Sequence, residues 1–197
     1  MIKEKVIFII PGFNHLPINK AYVEIARMMQ NDGYHPIIVT IPWKNTTISQ
    51  NTEYFIKEFK KIDAKKKYIL GFSFGAMIAF IASTKVDVYG LVLCSLSPYF
   101  KEDLPELNSS KIPSIQLQQH QDFSTLHCAT LAKRLKAKQI LMTYGTEEEK
   151  SLIKRVKQAY SHIPSRGKQL ISIAETDHNI GDKRYLYKIH QIAKVLN

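Results

Sequence analysis

Residues 71–75 read Gly-Phe-Ser-Phe-Gly, which places one serine between two glycines. Three apolar residues precede this motif and the apolar residues 76–82 follow it, so the pattern predicts a strand, a sharp turn and a buried helix. The glycines remove the Cβ atoms that would collide with the neighbouring strand and helix, and such a turn lifts the serine hydroxyl above the sheet edge. The helix that follows points its first amides at the same place, which favours developing negative charge. The pattern therefore predicts that Ser73 is a nucleophile.

Candidate acids and then a candidate histidine follow Ser73 along the chain. Glu147 and Glu148 follow the apolar run 139–144 after Gly145 and Thr146. His178 lies after the last apolar run, just ahead of the final helical pattern. This order of serine, acid and histidine, together with the strand–turn–helix context of Ser73, resembles the α/β-hydrolase superfamily. The resemblance covers essentially the whole chain.

The resemblance implies a role for each of these residues. His178 corresponds to the general base, and Glu148, three residues beyond the glycine that ends the strand, corresponds to the acid. Most members of the family have aspartate at that position, so Glu147 remains an alternative acid. Some members take the acid after the preceding strand, which nominates Glu102 or Asp103 instead.

Ordinary structural interpretations compete with some of these roles. Thr146 and Glu149 fit a capping box at the start of a helix, where acidic side chains also suit the helix dipole. Asp177 is expected to be a turn residue. The other histidines are expected to be ordinary surface residues, and they are His15, His35, His120, His127, His162 and His190.

A glycine-containing turn follows the first apolar run, residues 6–10. In the family that it resembles, this loop supplies one amide of the oxyanion hole, and the residue after the nucleophile supplies the other. The resemblance thus implies the backbone N–H groups of Phe13 and Phe74 as the donors. A plain turn at Pro11 and Gly12 is the alternative. Several aromatic side chains either line an apolar acyl pocket or belong to the core, and they are Phe13, Phe72, Phe74, Tyr99, Phe100 and Phe123.

Short apolar runs alternate with helical patterns along the chain, as in a parallel sheet with helical crossovers. The predicted strands are residues 6–10, 36–41, 68–70, 90–94, 139–144 and 169–174. Their near-continuous apolar character predicts that helices cover both faces. We therefore expect a three-layer α/β/α, doubly wound, mostly parallel sheet of about six strands. Asn19 is a candidate cap for the first helix, and Gly33 is placed to end it.

The length of 197 residues predicts one domain, residues 1–197. Residues 97–137 are too many for an ordinary connection between strands, so we expect a partial cap over the site there rather than a full lid domain. No run approaches the length that spans a bilayer, and the first apolar run is too short for a signal peptide. A cytoplasmic protein that is not an integral membrane protein is the expectation. Cys94 and Cys128 are expected to be buried thiols, and no metal site or cofactor is implied.

The formal net charge of +11 is divided almost evenly between the two halves of the chain. Because it forms no basic tail or single basic helix, it argues against nucleic acid as a partner. The densest run, residues 65–67, is expected to be a solvated loop or helix end. The positive field would attract acidic substrates, such as an acyl group on coenzyme A or on an acidic carrier protein.

These features together predict a serine hydrolase that cleaves an ester or thioester of a small molecule or an acyl carrier through an acyl-enzyme on Ser73. An acyltransferase with the same catalytic residues remains an alternative. A catalytically inactive binding protein with the same fold is a second alternative, and cleavage of a carbon–carbon bond is a third.

Overall fold

A computed structural model of the chain describes residues 3–106 and 117–196. Its strands are β1 (Lys3–Ile10), β2 (His35–Ile38), β3 (Ala64–Phe72), β4 (Gly90–Cys94), β5 (Gln139–Gly145) and β6 (Lys168–Ile173). They form one sheet in the order β2-β1-β3-β4-β5-β6, and every neighbouring pair is parallel. The predicted six-stranded sheet is confirmed.

Helices cover both faces of this sheet. They are α1 (Lys20–Asn31), α2 (Ile48–Lys61), α3 (Phe74–Ala82), α4 (Leu117–Thr125), α5 (Cys128–Lys133), α6 (Lys150–His162) and α7 (Lys183–Val195). Helices α1 and α7 pack on one face through residues such as Tyr22 and Tyr185, while α2, α3, α5 and α6 pack on the other. Alternate residues of β1 enter the two cores, Phe8 on one side and Ile9 on the other. The three-layer α/β/α architecture is confirmed.

The helix boundaries have local chemical causes. Asn19 accepts a hydrogen bond from the Ala21 amide and so caps α1, as predicted. Gly33, with φ of 85°, follows that helix in a backbone conformation that favours glycine. Thr47 and Gln50 form a reciprocal capping box at the start of α2, which sequence reasoning did not identify.

The prediction that residues 65–67 form a loop or helix end is wrong. These three lysines belong to β3, whose pairing with β1 runs from Lys3 opposite Ala64 to Ile10 opposite Gly71. The strand therefore extends beyond the apolar core, and its lysines remain partly exposed there. The prediction that helices bury both faces of every strand also fails at the edges of the sheet. Most residues of the edge strands β2 and β6 are only partly buried.

Part of the predicted partial cap, residues 107–116, lies outside the described residues. In the described part, Asp103 accepts two-pronged hydrogen bonds from the guanidinium of Arg155 on α6. The Arg155 side chain is 4% exposed, so this ion pair fastens the segment after β4 to the body of the fold. Glu102 accepts hydrogen bonds from the amides of Cys128 and Ala129 at the start of α5.

The strand order places β1 beside β3, although β2 lies between them in the sequence. The connections that leave β1 and reach β3 cross opposite faces of the sheet, since α1 packs on one face and α2 on the other. Such a switch point opens a crevice at the carboxyl ends of the strands. The loop after β1 and the turn after β3 meet there. Among the described residues, no helix has the length and apolar character needed to cross a membrane.

Candidate active site

Ser73 lies in the turn between β3 and α3 with a strained backbone, φ 59° and ψ −121°. A Cβ atom on Gly71 would lie 2.3 Å from the carbonyl oxygen of Gly75, and one on Gly75 would lie 2.2 Å from that of Ile10. Both positions therefore require glycine, because backbone atoms cannot move aside as a flexible side chain can. The close approach of α3 to the end of β1 fixes the serine at the edge of the sheet.

His178 connects Ser73 to a buried carboxylate. Its Nε2 atom lies 2.9 Å from the Ser73 Oγ, and its Nδ1 atom lies 3.2 Å from Oε1 of Glu148. An ionised carboxylate only accepts hydrogen bonds, so Nδ1 carries the hydrogen and Nε2 is free to accept the serine proton. The His178 side chain is 41% exposed and that of Glu148 is 0% exposed. The imidazole thus lies between an open pocket and the protein interior.

The other acids considered in the sequence do not meet His178. Glu147 is exposed, and its negative charge contributes to the raised pKa of Arg184. Glu102 and Asp103 are held by the contacts described above, at α5 and at Arg155. Asp177 is an exposed loop residue, as expected.

The expected capping box of Thr146 and Glu149 does not form. The Thr146 hydroxyl instead accepts a hydrogen bond from the Glu175 amide, in the loop that carries His178. Glu149 precedes α6 without a side-chain cap bond. Thr146 thus ties the loop of the acid to the loop of the histidine, and this tie fixes the distance between the two loops.

The amides of Phe13 and Phe74 are available at the pocket. Both residues line it, and neither amide donates a hydrogen bond to another group within the described part of the chain. Phe74 is also the first residue of α3, where an amide has no acceptor inside the helix. The neighbouring Gly12 amide is already occupied, because it donates to the Tyr22 hydroxyl at 2.9 Å.

His15 is exposed, as expected, but it also lines the pocket, which sequence reasoning missed. Its Nδ1 atom lies 2.8 Å from the Tyr22 hydroxyl, which also accepts the Gly12 hydrogen bond. Burial is the larger cause and the nearby His178 the smaller cause of a lowered pKa for His15. The series His15, Tyr22 and Gly12 therefore supports the loop after β1 with a neutral imidazole.

A cavity of about 360 Å³ lies over Ser73. Four of the candidate acyl-pocket residues line it, namely Phe13, Phe72, Phe74 and Tyr99. The Phe72 ring stacks on the imidazole of His178 at 4.8 Å. Phe123 is buried behind this lining and stacks on Phe74. Phe100 faces the core instead, where it packs against Phe80, so it does not belong to the pocket. Residues of the segment after β5, Glu149, Ser151 and Leu152, complete one wall.

Two serines after β4 also reach the site, and sequence reasoning missed both. The hydroxyl of Ser97 lies 3.1 Å from that of Ser73, and the hydroxyl of Ser95 donates to Oε1 of Glu148. A signal for them existed, because β4 was predicted between the strands that carry the nucleophile and the acid. The carboxyl ends of parallel neighbours meet at one edge, so polar residues directly after β4 belong to the same site.

Comparison with known proteins shows the fold. Neither a family model nor a curated protein sequence gives a match to this chain. The chain is similar to the solved structure of Est1E from Butyrivibrio proteoclasticus, with a TM-score of 0.82 at 15% identity over 98% of this chain and 86% of that one. It is similar to alpha/beta hydrolase domain-containing protein 10 from mouse, with a TM-score of 0.84 at 13% identity over 97% and 88%. It is also similar to a dienelactone hydrolase from Anabaena variabilis, with a TM-score of 0.70 at 13% identity over 98% of this chain and 85% of that one. The chain thus has the α/β-hydrolase fold.

Proposed function

We propose that this protein is a serine hydrolase that cleaves an ester or thioester of a small acyl compound. The observation that carries the proposal is the continuous hydrogen-bonded series from the Ser73 hydroxyl through His178 to the buried Glu148. A serine next to a neutral imidazole that is itself oriented by a carboxylate is the arrangement of an activated nucleophile. Two of the similar proteins, alpha/beta hydrolase domain-containing protein 10 and the dienelactone hydrolase, are named as hydrolases, which supports the same class.

In this mechanism the Ser73 oxygen attacks the acyl carbon while its proton moves to Nε2 of His178. The amides of Phe13 and Phe74 donate to the oxyanion that forms. The bond to the leaving oxygen or sulfur then breaks, and His178 gives its proton to the alcohol or thiol. A water molecule next transfers a proton to His178 as its oxygen attacks the acyl-enzyme, and the proton returns to Ser73 when the carboxylic acid leaves.

Labelling with a fluorophosphonate probe tests this proposal. We expect one label on each wild-type molecule and none on Ser73→Ala, because the probe captures only an activated serine. His178→Ala should label at least about 1,000-fold more slowly, since the base is lost. Ser83→Ala is the matched control, because the hydroxyl of this buried serine at the end of α3 donates to the Phe80 carbonyl and does not line the pocket. A folded wild-type protein that takes no label would overturn the enzyme proposal and favour a binding protein.

The net charge of +11 leads us to propose an acidic substrate, such as an acyl group on coenzyme A or on an acidic carrier protein. Among the described residues that line the pocket, the charged one is Glu149, which does not attract such a substrate, so the proposal rests on the field of the whole protein. We expect kcat/KM for an acyl-coenzyme A to fall about 3- to 10-fold between about 20 mM and about 300 mM NaCl. The same acyl group on uncharged N-acetylcysteamine is the control. Equal salt dependence for the two thioesters would remove the electrostatic argument.

A further inference from the structure

We propose that Ser95 and Tyr185 are positioning residues. Together with Thr143 they form a chain of hydroxyl hydrogen bonds in which each hydroxyl donates toward the Glu148 carboxylate. The inference rests on the proposed function, since it assigns a task to groups that lie behind the Ser73–His178 pair. These hydroxyls do not line the pocket, so they act on the reaction only through the acid.

The Glu148 carboxylate is short of hydrogen-bond donors. Its Oε1 atom accepts from Ser95 and from Nδ1 of His178, while the buried Oε2 has no partner in the described part of the chain. Removing a carboxylate from water is costly unless donors replace the lost hydration. The Ser95 hydroxyl is thus the one donor to this carboxylate, besides His178, that the described residues supply.

Counting protons fixes the direction of the chain. The Ser95 hydroxyl has one hydrogen, and Glu148 takes it because a carboxylate only accepts. The hydrogen between Ser95 and Tyr185, whose oxygens lie 2.7 Å apart, must therefore come from Tyr185. The hydrogen between Tyr185 and Thr143, 3.0 Å apart, must then come from Thr143. All three donors point toward the carboxylate, and such chains polarise one another.

The backbone holds this chain in place. Ser95 has a φ of 53°, which a residue with a side chain rarely adopts, and its amide donates to the Thr143 carbonyl at 2.8 Å. The preceding residue, Cys94, accepts from the Ser73 amide at 2.9 Å. The turn after β4 is thereby bonded to the nucleophile on one side and to β5 on the other. Strain of this kind persists where surrounding contacts fix it, and it is concentrated at functional sites.

The titratable side chains around this hydrogen-bond chain stay neutral over an ordinary range of assay pH. Burial raises the pKa of Cys94 to about 12 and also raises the pKa values of Tyr185 and Tyr22. His15 also faces His178, and its lowered pKa keeps it neutral near pH 7. Cys94, Tyr185 and Tyr22 therefore do not contribute to the acidic limb of a pH profile, and His15 is the same in every variant that is compared.

Removing the Ser95 donor should shift the pH dependence of the reaction in a definite direction. The hydroxyl withdraws charge from the oxygen that His178 also contacts. Without it the carboxylate becomes a stronger hydrogen-bond acceptor and favours the protonated form of His178. Deprotonated His178 is the active form, and we expect the acidic limb of kcat/KM to move to higher pH. The carboxylate also loses one of its two anchors, which lowers kcat.

The test compares Ser95→Ala, Tyr185→Phe and Tyr34→Phe with wild type, each normalised to active sites by fluorophosphonate titration. We expect kcat to fall about 10- to 100-fold in Ser95→Ala and about 3- to 10-fold in Tyr185→Phe, with KM unchanged. Tyr34→Phe is the matched control, because this buried tyrosine on the same face bonds to the Ala193 carbonyl far from the acid. Its kcat and its acidic limb should equal those of wild type.

A double-mutant cycle separates positioning from a general loss of packing. In a Glu148→Gln background, Ser95→Ala and Tyr185→Phe should cause no further loss in the rate of labelling, since the carboxylate through which they act is gone. Additive losses in that background would overturn the proposal, as would wild-type kcat and pH profiles in both single variants. An unlabelled wild-type protein would instead refute the proposed function itself, so the two failures are distinguishable.

Discussion

Glu148→Gln is expected to lower kcat/KM by about 10,000-fold while the protein keeps its fold. The amide has nearly the shape of the carboxylate, so the packing around Ser95 and His178 remains. However, the amide carries no charge to stabilise the imidazolium, and its NH₂ group is a donor where His178 needs an acceptor. If the amide turns this group toward Nδ1, the ring adopts the tautomer whose Nε2 carries a hydrogen and no longer accepts the proton of Ser73. The steady-state rate on short p-nitrophenyl esters measures this loss.

Glu147→Gln is the matched control, because it makes the same chemical change one residue earlier. Glu147 is exposed and does not contact His178, so its replacement should leave kcat/KM within about twofold of wild type. Comparable losses in both variants would mean that charge in this loop, rather than the contact of Glu148 with His178, supports the reaction. Full activity in both would show that Glu148 is not the acid, although it lies 3.2 Å from the imidazole.

The sheet could be predicted because buried parallel strands consist of consecutive apolar residues, which are visible in the sequence. Residues 6–10 and 90–94 are examples, and each lies within an observed strand. The lysines at 65–67 could not be placed this way, since pairing with β1, and not apolar character, extends β3 through them. Local composition reports burial, whereas strand length depends on the partner strand.

The candidate site was only partly predictable for a related reason. Ser73 has a recognisable sequence because the turn that holds it forbids a Cβ atom at Gly71 and Gly75. His15 and Ser95 carry no such mark, since neither one's role requires a particular neighbour in the sequence. The place of Ser95 directly after β4 indicates at most that it lies near the site, and the contacts of these residues with Tyr22 and Glu148 appear only in the folded chain.

Gly75→Ala is expected to destabilise the protein by more than about 4 kcal/mol. Helix propensity alone predicts the opposite sign, because alanine in place of glycine stabilises a helix by about 1 kcal/mol. The new Cβ atom would lie 2.2 Å from the carbonyl oxygen of Ile10 and 2.4 Å from that of Pro11. Both are backbone atoms at the end of β1, so α3 would have to move away from the sheet. The free energy of unfolding in urea measures the effect.

Gly33→Ala provides the comparison, because it tests backbone strain without a collision. Gly33 has a φ of 85°, and nothing lies within 4 Å of the position that its Cβ would take. We expect a cost of about 1–2 kcal/mol there, from the conformation alone. If Gly75→Ala cost no more than Gly33→Ala, the close approach of α3 to β1 would not be a constraint on the fold. The predicted difference matters for function as well, since the same displacement would separate the Phe74 amide from that of Phe13 and so dismantle the proposed oxyanion hole.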